Sequence, residues 1–558
     1  LNFKLTATPG GGGVSVLREQ YSDPLLLLLA TAGLVLLIAC ANLANLSLAR
    51  SSARAHEFAV RLAVGASRTR LIQQLMTEGA LLAVTGAAFG LFLSGALSRA
   101  LVASLNTEGK PLFINTGMNW HMLAFTTAVA GLTCILFGLT PAFQATRGGA
   151  AEAMKNSGRT LGASRERFGI RQILVVAQVA VSLVLLMSAL LFSGSLRNLL
   201  AVDAGFQQHG ILVANIGFSR VRLPAEERIV YRRNLLERIR AVPGVISAAE
   251  VDMLPLSGAS TSNTVWPEGT SGGARRDARF SFSGKDYFRT MGVSLLSGRD
   301  FSDQDTAASR RVAIVNQSLA RQLGTDANPI GTHFRRQATP SEPETSFEIV
   351  GLVKDTKYQS LRDESTPIAF IAIAQNPESS PSTQLVIRYS TGLSGIASGI
   401  RNTLTQAHSS INVDLRAFDA MIRDGLMRDR LLATLSGFFG VLAALIAAVG
   451  LYGVMSYTVV RRTSELGLRI ALGANRSSIL SIILRQTAML LAIGLGVGTI
   501  LSWGVTGATQ SMLFGLKSHD GPTMIAGAAL LAIITFAASY VPARRAARLD
   551  PMKALREE

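Results

Sequence analysis

The chain has 558 residues, of which 48% are hydrophobic and only 16% charged; soluble domains carry about a quarter charged residues, so the shortfall points to membrane segments. The formal net charge of +18 sits mostly in four short stretches beside apolar runs, Arg50–Leu71, Phe143–Arg171, Arg461–Arg485 and Arg544–Glu558, which hold 21 Lys/Arg against 7 Asp/Glu. The long polar region Asn198–Arg430 is nearly balanced, with 27 basic and 24 acidic residues, so the basicity is a membrane-topology signal and argues against a nucleic-acid surface.

In chain order, a polar stretch from Leu1 to Asp23 comes first, without an initial Met or a signal peptide. It is expected to be the end of a longer N-terminal part. Seven segments are then long and apolar enough to span a hydrocarbon core of about 30 Å. They are Pro24–Leu48, Gly79–Leu105, Met122–Phe143, Ile173–Leu196, Leu431–Val460, Thr487–Phe514 and Pro522–Tyr540. Cys40 and Cys134 both lie inside apolar runs, which excludes a disulfide framework for the polar region and fits buried small thiols. Gly86, Gly90 and Gly95 in the second span, and Gly494, Gly496 and Gly498 in the sixth, are residues that let helices approach closely in lipid. Placing the four basic stretches on the cytoplasmic side gives one consistent topology, with Asn198–Arg430 outside and Glu558 inside.

Within Asn198–Arg430, the runs ILVANIGF, RVAIVNQ, FEIVGLV, IAFIAIA and QLVIRYS alternate as strands do. Ala225–Ala241 has helical spacing, with Ile229, Leu236 and Ile239 on one side, and the Gly/Ser/Thr-rich stretch Ser257–Ala274 reads as a loop. A mixed α+β domain of two lobes is expected.

The most informative feature is an internal repeat. Glu57-Phe-Ala-Val-Arg-Leu-Ala-Val-Gly-Ala-Ser-Arg68 aligns with Glu465-Leu-Gly-Leu-Arg-Ile-Ala-Leu-Gly-Ala-Asn-Arg476, and the same offset pairs Gly86 with Gly494 and Gly90 with Gly498. Further on, Thr140-Pro-Ala-Phe-Gln-Ala-Thr-Arg147 aligns with Val541-Pro-Ala-Arg-Arg-Ala-Ala-Arg548. A three-helix unit therefore occurs twice. In each repeated loop, Glu57 and Arg61, or Glu465 and Arg469, stand four apart with the acid first, which supports a helix outside the membrane. Phe58 with Leu62, and Leu466 with Ile470, form an apolar strip. Gly65 and Gly473 suit a helix C′ position, and Ser67 and Asn475 suit the cap of the next helix. A short amphipathic helix parallel to the membrane results. It can serve as an interfacial anchor or as a docking handle for a cytoplasmic partner.

These loops, the three-helix unit and the Pro-Ala-x-x-Ala-x-Arg exit resemble the FtsX-like/MacB-like ABC permeases. The polar region is similar to a MacB-like periplasmic core domain, through Tyr287-Phe-Arg-Thr-Met-Gly-Val-Ser-Leu-Leu-Ser-Gly-Arg-Asp-Phe301, Val312-Ala-Ile-Val-Asn-Gln317, Asn328-Pro-Ile-Gly331 and Glu348-Ile-Val-Gly-Leu-Val-Lys-Asp355. The whole resembles the duplicated permeases of acidobacterial type, truncated at the N-terminus. The resemblance implies a membrane α-helical fold with two permease units plus one helix and an α+β extracytoplasmic domain. The expected divisions are 1–23, the end of a truncated periplasmic domain; 24–158, a first FtsX-like unit; 159–197, a cytoplasmic linker and helix; 198–430, the periplasmic core domain; and 431–558, a second FtsX-like unit. It further implies that Glu57, Arg61, Gly65, Ala66, Glu465, Arg469, Gly473 and Ala474 belong to coupling helices that touch a separate cytoplasmic ABC ATPase subunit. A periplasmic partner, membrane lipid and a bacterial inner-membrane location complete that expectation.

No phosphate-binding loop of the G-x-x-x-x-G-K-[ST] type occurs, so ATP hydrolysis is expected in trans. The six histidines lack metal spacing, and no nucleophile elbow is present. Neither a catalytic residue, nor a cofactor, nor a metal is expected. Glu78 and Arg99 read as charged ends of a span that reach the interface. An exporting or extracting permease, a signalling protein that moves a periplasmic domain to activate a partner, and a membrane-anchored enzyme are the three functional classes left. The enzyme is the weakest of them, for want of a catalytic constellation.

Overall fold

A computed structural model of the chain describes residues 16–53, 57, 60, 61, 64, 67–105, 120–135, 164–218, 225–258, 261–269, 275–325, 328–339, 342–376, 382–390, 392–408, 410–461, 463–516 and 520–548. The chain divides into a helical unit, formed from both ends of the sequence, and a second unit formed mainly by Leu199–Met427.

The first helices are α1 (Val16–Ala53), α2 (Arg68–Leu105), α3 (Trp120–Cys134) and α4 (Ser164–Leu200). The second unit then supplies strands β1 (Ile211–Gly217), β2 (Val245–Val251), β3 (Thr261–Pro267), β4 (Arg276–Ser283), β5 (Leu295–Gly298), β6 (Val312–Asn316), β7 (His333–Arg336), β8 (Thr345–Val353), β9 (Ile368–Ala372), β10 (Ser382–Tyr389) and β11 (Asn412–Ala417). Its longer helices are α5 (Ala225–Arg240) and α6 (Leu393–Ala407). The chain closes with α7 (Met427–Arg461), α8 (Thr463–Ala471), α9 (Arg476–Ala508) and α10 (Gly521–Ala546).

Among the described residues, six helices are long and apolar enough to cross a membrane: α1, α2, α4, α7, α9 and α10. Six of the seven expected spans are therefore seen. The remaining one, Met122–Phe143, begins as α3, which is 15 residues long, and residues 136–143 lie outside the described ones. The core of the helical unit is built from α4, α7, α9 and α10, through Val179, Leu183, Ala447, Leu451, Ile479, Ile483 and Leu531. Helix α1 adds Val35 and Ile38 against Leu185 of α4 and Ala443 of α7. Glycines set the closeness of this packing. A Cβ on Gly494 would lie 2.8 Å from that of Val179, and one on Gly498 would lie 2.9 Å from the oxygen of Ala180.

The second unit has two lobes. In one, β11-β1-β10-β2 form an antiparallel sheet. Alternation along β1 puts Leu212, Ala214 and Ile216 on a face covered by Leu235 and Ile239 of α5 and by Ile396, Ile400 and Leu404 of α6. In the other lobe, β4-β3-β7-β8-β6-β9 follow in order, and β9 returns to pair with β4 in parallel, so the strands form a closed ring. Val265, Phe280, Phe334, Phe347 and Ile349 fill its core. The lobes are joined through the sheet at one register pair, Val251 with Ser283.

Two local expectations need correction. Ser257–Ala274 is not all loop, because β3 lies inside it; Ser262 and Thr264 alternate with the core residue Val265 along a strand whose partners are β4 and β7. On α5 the packing face runs through Leu235 and Ile239, while Ile229 is half exposed. Leu236 packs, partly buried, against the same cluster, as the spacing predicts.

Candidate functional site

The second repeated loop is fully built. Helix α8 carries Glu465 in its first turn and Arg469 in its last, and the Arg469 guanidinium donates to Glu465 at 2.7 Å. The helix stops in a left-handed turn. Gly473 has φ of +94°, its N–H donates to the oxygen of Ile470, and the Ala474 N–H donates back to the oxygen of Arg469. This pair of bonds satisfies carbonyls that a helix end leaves open and needs a residue without a Cβ penalty. Asn475 occupies the cap position of α9, but its side chain makes no cap bond; the main-chain oxygen of Asn475 accepts from Ser478 instead.

The first loop repeats the ion pair. Arg61 lies 2.6 Å from Glu57, and Ser67 caps α2 through its hydroxyl, which accepts from the Arg70 N–H at 3.4 Å. Arg61 also donates to Gln74, which in turn donates to Glu78. Glu78 is thereby tied to the loop; the repeat mates of Gln74 and Glu78 are Ile482 and Gln486. Gly65, Ala66, Phe58 and Leu62 lie outside the described residues.

The second loop has two sides. Leu466 is buried in the helical core beside Val459, Ile479 and Ala543, with Ile470 packed against the same cluster. On the other side, Leu468 and Leu472 are 53% and 79% exposed, flanking the Glu465–Arg469 pair. Their repeat mates Val60 and Val64 are 49% and 84% exposed. Residues 465, 468, 469 and 472 fall on one helical face. An ion pair beside two bare aliphatic side chains thus occurs twice, with branched Val in one copy and Leu in the other. The sequence reading found the charges and the buried strip but missed these outward residues. The signal was present in the i, i+4 recurrence of apolar residues at the same two repeat positions.

Outside the loops, polar groups are concentrated in the second unit and serve its architecture. Arg299 grips Asp305 with both guanidinium nitrogens at 2.8 Å, and the Ser302 N–H and hydroxyl donate to the same carboxylate. Burial pushes Asp305 up, yet these four donors outweigh it and hold the group below its ordinary value. Asp252 is different. Burial raises it to about 6, although the Phe282 N–H and the Ser281 hydroxyl donate to it. The motif residues Tyr287, Phe288 and Phe301 pack in an aromatic cluster with Phe370, and Asp355 accepts from both the N–H and the hydroxyl of Ser318. These phrases build the domain. Among the described residues, no group of three His, Cys, Asp or Glu side chains could hold a metal.

The family model described as FtsX-like permease C-terminal matches twice, over residues 29–149 and 437–551. The MacB-like periplasmic core domain matches residues 173–415. The chain belongs to the FtsX-like, MacB-like permeases. Among curated relatives, the macrolide export ATP-binding/permease protein MacB of Hahella chejuensis is 26% identical over 288 residues, covering 49% of this chain and 42% of the relative. MacB 2 of Aeromonas hydrophila is 30% identical over 290 residues with the same coverage of each chain. The pyoverdine export ATP-binding/permease protein PvdT of Pseudomonas savastanoi is 28% identical, covering 47% of this chain and 40% of the relative. The chain spans about two fifths of the length of these relatives. The periplasmic region of MacB from Actinobacillus actinomycetemcomitans is 16% identical with a TM-score of 0.27, over 40% of this chain and 94% of that one.

Proposed function

We propose that this permease couples a separate ABC-type ATPase on the cytoplasmic side to its periplasmic domain, and so drives export or extraction of a substrate. The observation that carries the reading is the twice-built outward face of Val60 and Val64 beside Glu57–Arg61, and of Leu468 and Leu472 beside Glu465–Arg469. Isolated surface ion pairs add little to stability. Two bare aliphatic residues next to a helix-fixed charge pair make a better docking face, since burying each Leu against a partner is worth roughly 1.5–3 kcal/mol. The buried Leu466 anchors α8 in the bundle core, so a force on the loop is delivered to α7, α9 and α10.

The relatives named above are, by their names, exporters of macrolides and pyoverdine that carry ATP-binding and permease functions together. Their class of machine supports an ATPase as the partner. The substrate of this chain is left as an exported or membrane-extracted molecule. The excess of Lys and Arg in the loops supports a cytoplasmic side for both coupling faces and for Glu558.

The test is affinity capture of the full chain from native membranes with ATPase activity assayed on the co-purifying protein. Glu57→Lys with Glu465→Lys, and separately Val60, Val64, Leu468 and Leu472→Ser, should each lower the captured ATPase by about tenfold. Unchanged capture by both variants would make these loops interfacial anchors and end the coupling reading.

A further inference from the structure

Helix α1 meets α4 and α7 along one narrow seam. Among its described residues from Leu28 onward, the buried ones are Leu28, Thr31, Val35, Ile38, Asn42 and Asn45. They stand alternately three and four apart, the spacing of a coiled-coil seam. Leu28 packs with Phe192 of α4 and Leu432 of α7, Val35 and Ile38 pack with Leu185 and Ala443, and Asn42 reaches the main-chain oxygen of Ile446. Position numbers on α1 and α7 rise together along these contacts, so the two helices run parallel. The seam ends in two amides three residues apart. Asn42 donates at 3.5 Å to an oxygen that already accepts from Gln178 at 2.8 Å. Asn45 is 4% exposed, and both its amide nitrogen and its amide oxygen are buried without a hydrogen-bond partner. A buried amide left unpaired loses its hydration without return. The repeat mates of the two asparagines on α7 are Gly450 and Gly453, so the amide pair is peculiar to α1.

We propose that α1 has two registers on α7, one helical turn apart, and that Asn42 and Asn45 exchange places on the Ile446 carbonyl between them. A slip of three residues is about 4.5 Å along the helix. It carries Asn45 to the place of Asn42, Ile38 to that of Val35 and Thr31 to that of Leu28. Each of these places receives another residue of the seam. Thr31 can enter an apolar place, because its hydroxyl is already satisfied within α1 by the oxygen of Leu28 at 2.8 Å. A polar residue in such a seam sets its register, and a second one a turn away defines the alternative. Packed helices change by discrete steps of this size, since intermediate positions bring side chains onto one another instead of into the gaps. The partner that Asn45 lacks here is the carbonyl it gains after the slip. Helix α1 runs to Ala53, four residues before Glu57, so the slip carries the first repeated loop with it. The inference rests on the seam and its two amides and stands apart from the coupling reading.

The test is disulfide crosslinking of the full chain in phosphatidylcholine nanodiscs, in a Cys40→Ala/Cys134→Ala background. The pair Ile38→Cys/Ala443→Cys reports the register described here, and Ala41→Cys/Ala443→Cys reports the slipped one. In the parent the first pair should give about tenfold more product than the second. Asn42→Leu leaves only Asn45 to reach the carbonyl, and should raise the product of the second pair about fivefold while lowering that of the first. Asn45→Leu should lower the product of the second pair about fivefold and leave the first unchanged. If Asn42→Leu misfolds, Asn42→Ala gives the same reading. Second-pair yields that match in the Asn42 and Asn45 variants, or that stay at the parent level in both, would overturn the proposal and make the seam a static contact.

Discussion

The side-chain amide of Gln178 donates to the main-chain oxygen of Ile446 at 2.8 Å, linking α4 to α7 inside the apolar bundle. The amide of Asn42 on α1 reaches the same oxygen at 3.5 Å. One carbonyl of α7 therefore gathers donors from two other helices, and Gly450 makes room, because a Cβ there would lie 2.5 Å from the Gln178 amide. Interhelical bonds of this kind in a membrane average about 0.6 kcal/mol and reach about 1.7. Gln178→Leu should cost an amount in that range. Gly450→Ala should cost more, about 1–3 kcal/mol, because it forces overpacking as well as loss of the bond. Unfolding of the full chain in mixed micelles, with the double variant, checks this. The two losses should be clearly less than additive.

Leu466 and Leu472 lie on opposite sides of one short helix and should answer differently. Leu466→Ala removes a core side chain and should destabilise by about 2–5 kcal/mol. Leu472→Ser should stay within about 0.5 kcal/mol of the parent while weakening capture of the ATPase. Parallel melts and capture assays separate the two effects. Equal melts for both variants would mean that α8 is not anchored as described.

Gly473→Ala tests the end of the same helix. A Cβ there meets no neighbour, so the cost comes from the left-handed backbone alone and should be about 1–2 kcal/mol. Gly473→Asn should cost less, since Asn visits that region more readily. Thermal melts of the three proteins should rank Gly, Asn, Ala.

Asp252 and Asp305 should give pH dependences of opposite sign. For Asp252 the folded value of about 6 lies above the ordinary 3.8. The folded state binds the extra proton, so this contribution is complete below pH 4 and is lost as pH rises through 6. Asp252→Asn should remove that fall, gaining about 1–3 kcal/mol at pH 7 relative to the parent. Asp305 is held low, chiefly by Arg299 and Ser302 against its burial. Its contribution is present above the ordinary carboxylate value and is lost as pH falls through its lowered one. Asp305→Asn should therefore destabilise at pH 7 and matter little at pH 2. Melting of the full chain from pH 2 to 8 reads both.

Much of this was legible in the sequence because lipid and repetition both impose strict patterns. Uninterrupted apolar stretches marked the long apolar helices, and the offset that aligned Glu57 with Glu465 located both loops and the glycine pairs Gly86/Gly494 and Gly90/Gly498. Strands with buried cores, such as Val312–Asn316 and Ile368–Ala372, were equally clear. What escaped depends on neighbours far along the chain. Thr261–Pro267 has the composition of a loop and becomes a strand because β4 and β7 flank it. The closure of β9 on β4 and the elevated acid at Asp252 arise from contacts that no local pattern records. The outward Val60, Val64, Leu468 and Leu472 looked like part of an ordinary amphipathic mixture until burial divided the two sides.

Carrying both loops on one polypeptide has an evolutionary consequence. In an assembly of identical subunits, any change to the loop appears on both sides at once. Here one copy holds two valines and a Gln74–Glu78 relay, while the other holds two leucines with Ile482 and Gln486 in place of that relay. The two faces are free to diverge, so on the coupling proposed above the protein can become handed: one side can specialise in grip and the other in release.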